Sequence, residues 1–233
     1  MKIVINSNIN YKKPVQVLLE SLCESGFHEF NDVVLVVSQC EDQIGPEIIN
    51  VNEVIQDLRL PNIEVCVVRM QMNNFDYSGY HALHMYKNDP LIEDEGYLYV
   101  LDTSTFDEDF FDKYSALKPE KGGVVTCFHP HSNICVIDRE VVSNYGDNFS
   151  TILTKGEAIH LEWNNEINKY GKTVKAITQF GKFFSIGDRI MMGAEDIYAT
   201  GHPRVRVNYP AFGINKWILW GQNGDMTGQL VAN

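Results

Sequence analysis

The sequence predicts an α/β fold: a Rossmann-type, mostly parallel sheet flanked by helices, followed by a less regular mixed lobe. Three observations carry that expectation. Short apolar runs rich in valine and isoleucine alternate with stretches of helical period from Lys2 to Leu101. The runs are apolar at successive positions, as strands buried on both faces are. Polar clusters follow the runs, on the edge where parallel sheets bind ligands.

Lys2 to Ile5 reads as the first strand, and Pro14 opens a helix whose Val15, Leu18, Leu19 and Leu22 recur at helical spacing until Gly26. Val33 to Val37 is a second, all-apolar strand. Gly45-Pro46 is expected to start a helix that runs through Leu58 and ends near Pro61. Ile63 to Met70 is a third strand, Asp76 to Lys87 a helix stopped by Asn88-Asp89-Pro90, and Tyr97 to Leu101 a fourth strand. Right-handed crossovers between parallel strands would then place the loops 6–10, 38–42, 71–77 and 102–106 along one edge.

The second half is less regular. Val124 to Phe128 and Ile134 to Ile137 read as strands, Asp138 as the cap of a short helix, and Thr154 to Lys169 as a longer helix ended by Gly171. Asp107 and Glu108 are expected to cap a helix presenting Phe110, Phe111 and Tyr114. From Val174 onward the chain is rich in glycine, aromatics and arginine without a clear period. No repeat or linker divides it, so residues 1–233 are read as a single domain with halves 1–105 and 106–233.

Composition narrows the function. A net charge of −12 is unsuited to a broad nucleic-acid or anionic-membrane surface. No stretch approaches the roughly 18–20 apolar residues of a membrane span, so no integral membrane segment is expected. Met1 to Asn10 lacks the apolar core of a secretory signal. The five cysteines are odd in number and have no CxxC spacing, which fits reduced core residues and a cytoplasmic location.

Motifs exclude more. The turn after the first strand, NSNINYKKP, contains no glycine, so the dinucleotide cradle GxGxxG is absent, and no GxxxxGK[ST] phosphate loop occurs. Asp102 and Thr105 match part of a DxDxT phosphatase loop, but the second aspartate is replaced by Ser104.

Three segments together resemble the GT-A fold of nucleotide-sugar glycosyltransferases, over nearly the whole chain. IVINSNINYKKPVQVLLESLCESGF is similar to the opening of that fold. The apolar strand YLYVL ends in Asp102, where the family has its DxD motif. TGHPRVRVNYPAFGINKW resembles the segment that closes over donor phosphates in some small bacterial and viral members. The resemblance implies a nucleotide-sugar donor and a saccharide, glycoprotein or glycolipid acceptor, with a nucleotide-binding half at 1–105 and an acceptor-binding half at 106–233. It also implies Mn²⁺ or Mg²⁺, with Asp102 and His202 as metal ligands. A leaving nucleoside diphosphate gains negative charge that such a cation neutralises. Residues 102 to 104 are Asp, Thr and Ser rather than DxD, which weakens the expected metal affinity.

The same resemblance assigns donor contacts to Asn6, Ser7, Asn8, Ser38, Asn74, Asp76, Tyr77, Thr103, Ser104, Asn133, Arg204 and Lys216, with Glu41 and Arg206 nearby. For the general base it points to Glu157 or Glu162. Plainer readings stand beside these. Asp102 caps a turn, Asp76 or Ser78 is an N-cap, and Glu157 completes a capping box with Thr154. His81 and His84 share a helix face without a third ligand, and His129 and His131 flank a proline in a loop. The alternative function is a non-catalytic saccharide- or partner-binding module that kept the fold.

Overall fold

The computed structural model describes residues 1–41, 45–55, 63–71, 78–127, 134–144 and 182–219. The first half contains β1 (Lys2–Asn8), α1 (Lys12–Glu24), β2 (Val33–Ser38), β3 (Gly45–Asn50), α2 (Val51–Val54), β4 (Glu64–Arg69), α3 (Ser78–Met85) and β5 (Gly96–Leu101). After it come β6 (Ser104–Phe106), α4 (Phe110–Ala116), β7 (Gly123–Thr126), β8 (Cys135–Asp138) and α5 (Arg139–Asn144). The last described elements are β9 (Lys182–Ser185), β10 (Ile190–Glu195), β11 (Arg204–Tyr209) and β12 (Ile214–Leu219).

Eight strands form one sheet in the order β3-β4-β2-β1-β5-β8-β7-β9, and β10-β11-β12-β6 form a second. In the large sheet β4, β2, β1 and β5 are mutually parallel. β3 and β8 run antiparallel to their neighbours β4 and β5. This mostly parallel sheet with flanking helices and a smaller second sheet is the α/β architecture expected from the sequence. The chain moves outward from β1 through β2 to β4, then returns to the other side of β1 as β5. The switch point between β1 and β5 is where an open α/β sheet takes its ligand.

Side-chain alternation explains the layers, because successive residues of a strand point to opposite faces. Ile3 and Ile5 of β1 join Leu18, Leu19 and Leu22 of α1 in one core, whereas Val4 joins Val34, Val36 and Leu83 in the other. Both faces of β1 and β2 are therefore covered, as their unbroken apolar runs require. Helix α1 ends in a Schellman arrangement: the Phe27 amide donates to the Leu22 carbonyl and the Gly26 amide to the Cys23 carbonyl. Gly26 takes the left-handed φ of +82° that this turn needs.

Three sequence expectations change. The segment from Gly45, expected as a helix through Leu58, is an antiparallel edge strand followed by a single helical turn. Pro46 has no amide to give a ladder, and an edge strand tolerates that. The Asn50 side chain then accepts from the Asn52 amide and caps the turn. Asp107 does not cap α4 with its carboxylate, which is held instead by Asn208 and Asn215 of the second sheet. The C-terminal region does have a period: Val205, Val207 and Tyr209 are buried, and Arg204, Arg206 and Asn208 alternate with them. The expected helix from Thr154 to Lys169 lies outside the described residues. Among the described residues no helix is long and apolar enough to cross a membrane.

Gly79 in α3 is fixed by a close approach rather than by its backbone angles. A Cβ there would lie 2.6 Å from the ring of Tyr99, which stacks on Tyr80 with centroids 4.1 Å apart. Gly79→Ala is expected to destabilise the protein by about 1–3 kcal/mol, the usual cost of overpacking. Urea unfolding checks this, and an unchanged midpoint would mean that the tyrosine pair yields freely.

Candidate functional site at the switch point

The carboxyl ends of β1 and β5 are stitched together by their own polar residues. The Asp102 amide donates to the Asn6 carbonyl at 3.0 Å, which extends the ladder one residue past β5. Ser7 Oγ donates to Asp102 Oδ2 at 2.9 Å. Asn6 Oδ1 accepts from the Gly79 amide at 2.7 Å, tying the first turn of α3 to β1. Asn6, Ser7 and Asp102 are all buried. Asp102 therefore closes the strand and is fixed by a side chain 95 residues away in sequence.

The turn after Asp102 carries the chain from the large sheet into the second one. Ser104 pairs with Lys216 across β6 and β12, and the Trp217 amide donates to the Thr103 carbonyl at 2.8 Å. Lys216 is buried, and its Nζ donates to Thr103 Oγ1. Its cation is thereby set beside the Asp102 turn. Trp217 Nε1 donates to Thr105 Oγ1 at 3.0 Å. Asp107 accepts from Asn215 at 2.6 Å, from Asn208 at 3.0 Å and from Arg206 at 3.5 Å, which locks the register of β11 and β12. Arg206 is thus a structural cation, its guanidinium lying 5.9 Å from the Trp217 ring centre.

A loop between β10 and β11 completes this side. The Asp196 carboxylate accepts from the Thr200 amide at 3.0 Å and the Gly201 amide at 2.6 Å. Those bonds, led by that of Thr200, hold its carboxyl below the usual range, with a smaller contribution from His202. The loop presents Tyr198, buried, with the Arg204 guanidinium 5.0 Å from its ring centre. Burial pushes the Tyr198 phenol up, Arg204 opposes that, and the Asp102 charge raises it again.

Ser38 Oγ, Ser104 Oγ, Tyr198 OH and Arg204 Nε are buried without a hydrogen-bond partner. Such groups are uncommon in folded proteins, and a ligand is one of the few things that resolves them. Ser104 and Tyr198 belong to the turn and the loop just described, Arg204 begins the strand that the loop leads into, and Ser38 ends β2, the neighbour of β1. A small recess of about 30 Å³ opens alongside, lined by Ser7, Asn8, Tyr11, Lys12, Leu35 and Val37.

Of the residues expected from sequence, Asn6, Ser7, Asp102, Thr103, Ser104 and Lys216 come together, and Ser38 lies at the end of the neighbouring strand. Arg204 stacks on Tyr198. Asn8 serves its own turn, its Oδ1 accepting from the Asn10 amide at 3.0 Å. Glu41 is exposed. His202 is exposed too, and the carboxylate whose titration it affects is Asp196. Asn74, Asp76, Tyr77, Asn133, Glu157 and Glu162 lie outside the described residues. Tyr198 and Trp217 escaped sequence reasoning. Their only signal was aromatic character next to Gly201 and Lys216.

Among the described residues no group of three His, Cys, Asp or Glu side chains is placed to hold a metal ion. The chemistry of the turn still suits a hard divalent cation. The Asp102 carboxylate and the orphaned Ser104 hydroxyl, two residues on, are both oxygen ligands of the kind such a cation takes, with further oxygens and water needed to complete its shell.

No protein-family model and no curated protein matches the sequence. Among solved structures the chain is similar to the glycosyltransferase GlyE of Streptococcus pneumoniae TIGR4, at 14% identity and a TM-score of 0.45. That match covers 79% of this chain and 45% of that one, so the chain spans under half the length of GlyE. It is also similar to an active-site mutant of LgtC, at 13% identity and a TM-score of 0.43, over 79% of this chain and 72% of that one. A further similar structure is the galactosyltransferase LgtC in complex with donor and acceptor sugar analogs, at 12% identity and a TM-score of 0.42. There the match covers 78% of this chain and 73% of the other.

Proposed function

We propose that the chain is a glycosyltransferase that moves a sugar from a nucleotide-sugar donor to a saccharide, glycoprotein or glycolipid acceptor. The observation that carries this reading is the buried Asp102 carboxylate at the switch point, fixed by Ser7, with the Lys216 cation of β12 held by Thr103 of the adjoining turn. In such a transfer the bond between the anomeric carbon and the diphosphate oxygen breaks, and its electron pair leaves with the phosphate. The acceptor hydroxyl forms the new bond and gives up its proton.

Charge appears on the leaving phosphate, and a preorganised cation there lowers the barrier. Lys216 fills that role. Thr103 holds its ammonium in place, and burial strengthens its field relative to water. A divalent metal, where bound, would be held by Asp102 and Ser104 and would supply further neutralisation of the same phosphates. Asn6 and Ser7 keep the β1 end and the Asp102 turn in register under the donor, and Ser38 faces it from β2. Asn74, Asp76, Tyr77 and Asn133 are proposed donor contacts, and Glu157 or Glu162 the base that takes the acceptor proton.

The test is incubation with a panel of nucleotide sugars, with and without Mn²⁺ or Mg²⁺, following released nucleoside diphosphate by chromatography. Slow hydrolysis of at least one donor is expected. No release and no thermal shift with any donor would overturn the reading. The single carboxylate at residues 102–104 favours one alternative, a binding module without turnover. It predicts saturable saccharide binding and no diphosphate release.

A further inference from the structure

We propose that Tyr198 is a donor-binding residue whose hydroxyl donates a hydrogen bond to a phosphate oxygen of the nucleoside diphosphate, beside the guanidinium of Arg204; this rests on the donor reading above. The phenol is only 4% exposed, yet its oxygen has no hydrogen-bond partner. A buried hydroxyl without a partner is destabilising, and removing it from a purely structural tyrosine would be neutral or favourable. Its ring is held by the Arg204 guanidinium at 5.0 Å, and the Nε of that same arginine is also buried and unpartnered. Two adjacent donors therefore lack acceptors.

The ligand that satisfies both is rich in acceptors and carries negative charge. A diphosphate meets that description, whereas a neutral sugar hydroxyl would leave the arginine charge uncompensated. A tyrosine hydroxyl is protonated near neutral pH and so able to donate. The loop that carries it is a self-contained unit. Asp196 ties Thr200 and Gly201 to the loop's own start, with Ala199 and Gly201 at positive φ of 52° and 76°.

The decisive variant is Tyr198→Phe, which removes the oxygen and keeps the ring over which Arg204 lies. Isothermal titration calorimetry would compare it with the unaltered protein, using the diphosphates of uridine, guanosine, adenosine, cytidine and thymidine and the five plain nucleosides. The expected result is a loss of about tenfold in affinity for the diphosphate that binds. Any nucleoside affinity should stay unchanged, and the melting temperature unchanged or raised. Equal diphosphate affinity in the two proteins, or an equal loss for nucleoside and diphosphate, would overturn the assignment while leaving the donor reading intact. Failure of the unaltered protein to bind any diphosphate would overturn both. Should Tyr198→Phe melt markedly lower, the hydroxyl is structural and the assignment also fails. Arg204→Gln provides a second check and should lose diphosphate but not nucleoside affinity.

Discussion

Asp102→Asn is expected to lower the rate of sugar transfer by about 100-fold or more, the usual scale for removing one preorganised electrostatic group. The melting temperature should move by no more than about 3 °C, the shift that roughly 1 kcal/mol produces in a protein of this size. Asparagine has the shape of aspartate, and its Oδ1 can still accept from Ser7 Oγ, so the stitch between β1 and the turn survives. Only the negative charge is lost. If Asp102 merely closed a turn, the variant would transfer sugar at the original rate. Initial rates of diphosphate release and a thermal melt, taken on the same preparation, separate the two outcomes.

Lys216→Met is expected to cost about 100- to 1,000-fold in kcat. Methionine preserves most of the unbranched stem and discards the ammonium that Thr103 now holds. The side chain is buried on the face of β12 that also carries Ile214, so an apolar replacement suits its surroundings. Replacing a whole buried ion pair by apolar groups is often neutral or stabilising, whereas removing one charge beside a buried opposite one leaves the other uncompensated. A fall in kcat together with an equal or higher melting temperature marks a cation kept for chemistry. Unchanged kcat would assign Lys216 to the packing of β6 against β12. Lys216→Arg should recover part of the activity, because it restores charge but alters reach.

Much of the large sheet was legible because its signals are local. Each of β1, β2, β4 and β5 contains an unbroken apolar run, and Gly26 stops α1 where the helical period ends. Asp102 stood out for the same reason, as a carboxylate closing such a run. β3 was misread because Gly45-Pro46 reads locally as the start of a helix. The deciding contact, with β4, is supplied by a partner strand and leaves no local trace. The second sheet was overlooked although Arg-Val-Arg-Val-Asn-Tyr alternates strictly, since glycine and aromatic content drew attention away from a period of two. The contact of Lys216 with Thr103 spans 113 residues, and no spacing rule reaches that far. Tyr198 became visible only through burial and an unpartnered oxygen, neither of which a sequence displays.

Soaking or co-crystallising the protein with an intact nucleotide sugar would locate the donor directly. The diphosphate is expected on the 102–104 turn, with a phosphate oxygen within hydrogen-bond distance of Lys216 Nζ and the nucleoside toward Asn6, Ser7 and Ser38. A nucleotide bound elsewhere, with Asp102 and Lys216 unchanged and out of its reach, would contradict that expectation.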